Sequence, residues 1–194
     1  MTELLLGCGH SRQKLLGLPG QPLEWKDLVT LDINEKCKPD LRCDLDYIDD
    51  KGCWLINHVF TERAYEVTRD SGTHLADSQF DEVHAYEVLE HLGQQGNAWS
   101  FFMHFRNLHR IIKPDGFLFA TVPSRYSAWL WGDPSHRRVI CAESLAFLSQ
   151  EVIAENRRRG SAMSDFSDLW TRDFKIVSAQ DNRERFLFCL QAIK

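Results

Sequence analysis

The sequence predicts an α/β fold whose central sheet has about seven strands, most of them parallel. Two observations carry this prediction. Short apolar segments alternate with helical segments over most of the 194 residues, and the chain ends in two strand-like segments joined by a polar turn. Strands that alternate with helices pair in parallel and are covered on both faces, whereas a terminal hairpin adds an antiparallel strand.

Seven apolar segments predict the strands, because each is short and bounded by turn residues. They are ELLL (3–6), DLVTLDI (27–33), PDLRCDL (39–45), FDEVHAYEVL (80–89), FLFATVP (117–123), DFKIVSAQ (173–180) and RERFLFCLQAI (183–193). The last two are expected to form a hairpin with its turn at Asp181 and Asn182.

Two longer segments predict helices between these strands. One apolar face repeats at helical spacing through Phe101, Phe105, Leu108 and Ile112. Pro114 and Gly116 are expected to stop that helix. A second helix is expected over about 142–159, and part of 59–69 is a weaker candidate. We therefore expect one doubly wound, Rossmann-like domain over residues 1–194, whose ligands bind beyond the carboxyl ends of the strands.

Composition limits the classes of function. The net charge of −5 argues against nucleic-acid binding by bulk electrostatics. No apolar run approaches the roughly 18 residues of a spanning helix, and no signal peptide is evident, so a cytoplasmic protein without a membrane partner is expected. The six cysteines include no CxxC pair. Scattered buried thiols are the favoured interpretation, and we expect no metal site, since Cys37, Cys43 and Cys53 have poor zinc spacing.

The ends of the first three strands carry the first candidate binding residues. Gly7 and Gly9 allow a tight turn and close approach of the backbone to a ligand, although a plain turn is the alternative. Asp32 ends the second strand, where a carboxylate can accept hydrogen bonds from both hydroxyls of a ribose, or else cap a helix. Asp44 and Leu45 are similarly placed for an adenine.

The fourth strand ends in a second group of candidate residues. Glu87, Glu90 and His91 either face the cleft or begin the following helix as solvated acids. Arg12 replaces the last glycine of the GxGxxG pattern, which disfavours a nicotinamide enzyme, and no phosphate-loop Gly-Lys-Ser/Thr follows.

The segments LLLGCG, LPG, LVTLDIN, PDLRCDL, FDEVHAYEVLEHL and LHRIIKPDGFLFATVP, in this order over residues 3–123, resemble the class I S-adenosylmethionine-dependent methyltransferases. The resemblance implies S-adenosyl-L-methionine as the cofactor. It implies that the methionyl part lies against Gly7, Cys8, Gly9 and His10, and that Tyr86 and Glu87 line its other side. It also implies that Asp32 holds the ribose and that Ile33, Asp44 and Leu45 contact the adenine.

The acceptor side is predicted from the segment that follows the fifth strand. Residues 123–160 form the variable substrate or lid region, and Tyr126, Trp129, Trp131 and Arg137 are its candidate substrate contacts. The alternative is a loop whose aromatic side chains fill the core. His91 and His136 are the candidate bases, if the acceptor must lose a proton, and a structural histidine is the alternative for each.

The predicted function is methyl transfer to a small molecule. Base methylation of nucleic acid is disfavoured, because YEVLEHL stands where amino-methylating enzymes carry Asp/Asn-Pro-Pro-aromatic, and no proline precedes a cysteine. Leu5 and Ser11 stand where the family usually has an acidic residue and a third glycine. A non-catalytic S-adenosylmethionine-binding protein with a regulatory or structural role is therefore the alternative.

Overall fold

The computed structural model describes residues 1–194, apart from the side chain of Ser71. Its strands are β1 (Glu3–Leu6), β2 (Leu28–Asp32), β3 (Leu41–Ile48), β4 (Trp54–Val59), β5 (Thr68–Arg69), β6 (His74–Leu75), β7 (Phe80–Tyr86), β8 (Ile112–Pro123), β9 (Asp173–Asp181) and β10 (Arg185–Ile193). Its α-helices are α1 (Glu62–Glu66), α2 (Ala98–Ile111), α3 (Ala128–Gly132), α4 (Ala142–Leu145) and α5 (Gln150–Arg158).

Eight of these strands form one sheet in the order β4-β3-β2-β1-β7-β8-β10-β9, and β5 pairs with β6 separately. Strands β3, β2, β1, β7 and β8 run parallel, whereas β4 and the hairpin of β9 and β10 are antiparallel to their neighbours. The predicted mostly parallel sheet with a C-terminal hairpin is confirmed, with one strand more than expected. The extra strand is β4, whose two faces differ in burial.

Helix α2 forms where the apolar spacing predicts it. Asn97 caps its first turn, since its side chain accepts a hydrogen bond from the Ser100 N–H at 3.0 Å. The face of Phe101, Phe105 and Leu108 is buried in the main hydrophobic core. The helix ends at Ile111, before the expected stop, because the chain enters β8 there.

The helix expected over 142–159 is wrong as a single element. It is divided into α4, a 3₁₀ turn (Ala146–Leu148) and α5. Ser149 has an extended backbone, with φ −107° and ψ 118°, and its side chain caps α5 by accepting from the Val152 N–H. A capping residue inside the apolar pattern therefore starts a new helix.

The expected alternation of strands and helices also fails between β1 and β2. All of residues 7–27 are described, and none of them is helical. Lys14 anchors this segment to the sheet: its ammonium lies 2.6 Å from Glu3 Oε1 and 2.7 Å from Glu82 Oε2. His84 lies 3.0 Å from the same Glu82 oxygen. We call Glu3, Lys14, Glu82 and His84 the lysine cluster.

In the part of the chain that is described, every helix is too short or too polar to cross a lipid bilayer.

Candidate functional site

A crevice of about 620 Å³ lies beyond the carboxyl ends of β1 and β2, where the strand order reverses between β1 and β7. Ligand pockets of small molecules typically measure about 300–1,000 Å³. Strand β3 pairs with β2 only at Leu41 and Arg42, so its later residues extend along the crevice. Among the residues that line it are seven predicted site residues: Gly7, Asp32, Ile33, Asp44, Leu45, His91 and Arg137.

The glycine turn after β1 is shaped for close approach. Both glycines have left-handed backbones, with φ +57° at Gly7 and +50° at Gly9. A Cβ at Gly7 would lie 2.6 Å from a Val88 methyl group, so only glycine fits there. A Cβ at Gly9 would meet no atom within 4 Å, so the backbone there faces open space. The first glycine therefore serves packing, and the second leaves the turn accessible.

Asp32 joins this turn to the end of β2. Its Oδ2 accepts from the Gly9 N–H and its Oδ1 from the Asn34 N–H, both at 2.8 Å. A carboxylate has about four acceptor positions, so these two bonds orient the group and leave acceptor positions unused. The neighbouring Ile33 is 55% exposed beside it and offers an apolar surface.

Asp46 also lines the crevice, although it is not among the site residues predicted from the sequence. Its Oδ1 accepts from the Gly93 N–H at 2.6 Å, and its Oδ2 pairs with the Arg137 guanidinium. The ion pair holds the loop of Pro134 and Ser135, which also lines the crevice. A signal was available: Asp46 lies two residues after Asp44, a spacing that puts both on one side of a strand.

The side chains of Cys8 and Tyr86 are not among the residues that line the crevice and pack instead in a second, smaller cluster of buried residues. The Cys8 thiol packs with Leu5 and Cys37, and burial raises its pKa to about 11. The Tyr86 hydroxyl accepts from the Leu15 and Leu16 N–H groups at 3.2 Å, and burial raises its pKa to about 12. The side chains of both residues are therefore used for packing, so only their backbones remain to contact a ligand.

His10 and Glu87 flank the glycine turn and the end of β7. His10 is exposed, with Nε2 3.9 Å from Cys37 Sγ. Glu87 has a left-handed backbone, with φ +53°, and its carboxylate lies 3.6 Å from Arg185 Nε. A left-handed non-glycine residue at a strand end is uncommon and concentrates at functional sites.

The two predicted bases, His91 and His136, lie on either side of Glu90, which was not among the predicted catalytic residues. Glu90 Oε1 is 4.0 Å from His91 Nε2 and 3.9 Å from His136 Nε2. The two imidazole rings have centroids 4.8 Å apart. Burial raises the pKa of Glu90 to about 8, and the nearby Glu87 and Asp133 carboxylates act in the same direction. We call Glu90, His91 and His136 the Glu90 cluster.

The three aromatic residues predicted as substrate contacts are on the surface. Tyr126, Trp129 and Trp131 are 63%, 76% and 72% exposed, so the alternative that they fill the core is wrong. In the same short helix, α3, Leu130 is buried. Helix α3 therefore attaches by Leu130 and presents its tryptophans outward.

Comparison with known proteins shows the fold. No family model matches the chain, and no curated protein matches it significantly in sequence. The N-methyltransferase NodS from Bradyrhizobium japonicum WM9, in complex with S-adenosyl-l-homocysteine, is 15% identical with a TM-score of 0.50, and the match covers 100% of this chain and 78% of NodS. The CurJ carbon methyltransferase is 13% identical with a TM-score of 0.51, and the match covers 100% of this chain and 48% of CurJ.

A third similar structure is the protein in complex with the Haloferax volcanii Trm112 methyltransferase activator, at 13% identity, a TM-score of 0.50, and coverage of 100% of this chain and 82% of that protein. These likenesses establish that the chain has the Rossmann-like fold of the S-adenosylmethionine-dependent methyltransferases. The resemblance inferred from the sequence is thus confirmed at the level of the fold.

Proposed function

We propose that this protein is an S-adenosylmethionine-dependent methyltransferase that acts on a small molecule. The single observation that carries the proposal is the shared crevice of Gly7, Asp32, Ile33, Asp44 and Leu45. Gly7 follows β1, Asp32 and Ile33 lie at the end of β2, and Asp44 and Leu45 lie within β3. The sheet brings these three strands to one opening of suitable volume. NodS, of the same fold, is solved with S-adenosyl-l-homocysteine.

The lining residues fit the nucleoside of this cofactor. Asp32 has unused acceptor positions for the two ribose hydroxyls and is held in place by two backbone N–H groups. Ile33 and Leu45 offer apolar surface to an adenine ring, and Asp44 offers a carboxylate to its amino group. The open backbone at Gly9 is where the methionyl chain would lie, beside His10 and Glu87.

The bound cofactor supplies a methyl group already activated on a sulfonium. The protein must then chiefly align the acceptor and exclude water, and alignment alone contributes up to about 7–11 kcal/mol in ideal cases. Arg137 and His91 also line the crevice. Tyr126, Trp129 and Trp131 are exposed surfaces that we assign to the acceptor. His91 and His136 are the groups available to accept a proton from it.

Ligand binding tests the proposal directly. Isothermal titration should show S-adenosylmethionine and S-adenosylhomocysteine binding to the wild type, and NAD should not bind. Asp32→Ala should weaken binding about 10- to 100-fold, because hydrogen bonds to a charged group contribute about 1.5–3 kcal/mol. Asp50→Ala, an exposed aspartate outside the crevice, is the matched control and should bind as the wild type does.

Turnover separates the enzyme from the non-catalytic alternative. Incubation with S-adenosylmethionine and a pool of small metabolites should release S-adenosylhomocysteine, and mass spectrometry should find a product heavier by one methylene. Binding without turnover over a broad pool would support a regulatory or structural cofactor-binding protein. Binding of NAD alone would refute the cofactor assignment.

A further inference from the structure

The Glu90 cluster is built from two distant parts of the chain. Glu90 and His91 belong to the 3₁₀ turn after β7 (Leu89–His91), and His136 belongs to the loop after α3. The Glu90 backbone carbonyl accepts from the Arg137 and Arg138 N–H groups at 2.9 and 3.0 Å. These two bonds hold the loop, and with it His136, against the turn.

The carboxylate of Glu90 is buried without a partner. The residue is 0% exposed, and neither of its carboxylate oxygens has a hydrogen-bond partner among the described residues. The side chains of the two arginines whose backbone N–H groups hold Glu90 are used elsewhere. Arg137 pairs with Asp46, and Arg138 donates to the backbone carbonyls of Leu92, Gln94 and Asn97. A buried carboxylate in this state requires a proton or a bound cation.

The imidazole of His91 is oriented as a ligand. Its Nδ1 lies 3.2 Å from the Ser135 carbonyl oxygen, which can only accept a hydrogen bond, so the proton is on Nδ1. In the neutral ring the lone pair is then on Nε2, the atom that faces Glu90. Metal-binding histidines are commonly fixed in this way, by donating the other ring N–H to a carbonyl or carboxylate.

We propose that Glu90, His91 and His136 bind a divalent transition-metal ion. One ligand atom from each of the three lies within 4.8 Å of the others. Atoms that share one zinc ion at about 2.0–2.2 Å are roughly 3–4 Å apart, close to the separations of 3.9 and 4.0 Å seen here. Asp133 Oδ2 lies 3.9 Å from His136 Nε2, at the margin of this group of three.

The ligand types indicate which metals bind. Two imidazoles with carboxylates suit Zn²⁺, Fe²⁺ or Co²⁺, whereas Mg²⁺ prefers oxygen ligands alone. Because His91 also lines the crevice, the ion would lie at its edge. An imidazole whose lone pair binds a metal ion cannot accept a proton there, so His91 and His136 could act as bases only in the metal-free protein.

Metal titration of the protein tests this site without any cofactor. After removal of metal by chelator and dialysis, the wild type should bind one equivalent of Zn²⁺ by calorimetry. Co²⁺ should produce visible d–d absorption, and Mg²⁺ at the same concentration should produce neither binding nor a thermal shift. Zn²⁺ at about 100 times its Kd should raise Tm by about 5–10 °C.

Variants assign the ligands. Glu90→Gln and His136→Asn should each weaken Zn²⁺ binding by at least about tenfold, since each removes one ligand. His58→Asn and Glu143→Gln, at exposed residues outside the cluster, should leave it unchanged. A cooperative melt of each variant shows that it is folded. Failure of the wild type to bind Zn²⁺ or Co²⁺, or ligand variants that bind as tightly as the wild type, would overturn the proposal.

The outcome is separate from that of the proposed function. Asp32 is outside the Glu90 cluster, so Asp32→Ala should keep its Zn²⁺ affinity while losing affinity for S-adenosylhomocysteine. Glu90→Gln should lose Zn²⁺ affinity while keeping its affinity for S-adenosylhomocysteine. Loss of both affinities in both variants would contradict two separate sites.

Discussion

The lysine cluster and the Glu90 cluster both contain glutamate and histidine, but only the lysine cluster places a lysine ammonium beside its buried carboxylates. Each combines buried glutamate with histidine, although the histidines of the Glu90 cluster are only partly buried, and both clusters depend on β7 or on the turn that follows it. In the lysine cluster the ammonium of Lys14 lies between Glu3 and Glu82. In the Glu90 cluster no such cation from the described residues lies beside the carboxylate.

The difference is visible in the pKa values of two glutamates. Burial would raise the pKa of Glu82, but the hydrogen bonds and charges of His84 and Lys14 lower it to about 2. Burial raises the pKa of Glu90 to about 8, with no compensating cation. The protein supplies its own cation where the group anchors the fold. At the edge of the crevice it provides no cation for the Glu90 carboxylate, and an external ligand can bind there.

Removing the cation of the lysine cluster should have the largest effect on stability. Lys14→Met leaves Glu3 and Glu82 buried without their partner, and breaking a buried pair in this way costs about 3–5 kcal/mol. Urea denaturation measures the loss. Lys113→Met, which breaks a half-exposed pair with Asp81, is the control and should cost about 1 kcal/mol or less. Equal costs would show that the lysine cluster does not anchor residues 7–27.

Acid should weaken the lysine cluster next. The pKa of Glu82 falls from 4.5 to about 2 on folding, so its stabilisation is present above about pH 4.5 and is lost as the pH falls toward 2. At pH 3 the loss should be about 2 kcal/mol. The measurement is the free energy of unfolding of the wild type against Glu82→Gln between pH 6 and 3. Parallel curves for the two proteins would contradict the assigned pKa.

In the Glu90 cluster, replacing the buried glutamate should stabilise the protein, whereas substitutions in the lysine cluster should destabilise it. In metal-free protein, Glu90→Gln removes a buried carboxylate without a partner, so it should stabilise the fold by about 1–2 kcal/mol, or raise Tm by about 2–8 °C. Calorimetric melting of both chelator-treated proteins tests this. A lower Tm in the variant would mean that the charge already has a partner and that the two clusters are alike.

The smallest effect concerns the extension of the lysine cluster through Tyr86. Its hydroxyl lies 2.6 Å from His84 Nδ1 and accepts from the Leu15 and Leu16 N–H groups. Tyr86→Phe should therefore cost about 1 kcal/mol. Amide hydrogen exchange should also become faster at Leu15 and Leu16 and not in helix α2. Unchanged exchange at these two amides would remove Tyr86 from the anchor.

Much of the candidate site could be predicted because it depends on local sequence. Gly7 follows an apolar strand and Asp32 ends another, and parallel strands bring such ends to one edge of the sheet. Asp46 was missed although its spacing from Asp44 signals the same face. Strand β4 was missed because only part of it is buried, so its apolar pattern is weak.

The sequence by itself determined where seven of the strands lie along the chain, and it determined helix α2, the C-terminal hairpin and the residues at the strand ends. These features follow from local periodicity and turn chemistry. Only the tertiary structure decided that residues 7–27 pack on β1 without a helix, held by the ion pair of Lys14 with Glu3. It also decided that the Tyr86 hydroxyl binds the backbone of this segment. It also decided that His136 meets Glu90, through backbone hydrogen bonds to Glu90 from the loop's next two residues. The reason is physical: contacts between distant segments depend on how the whole sheet packs, which local patterns do not encode.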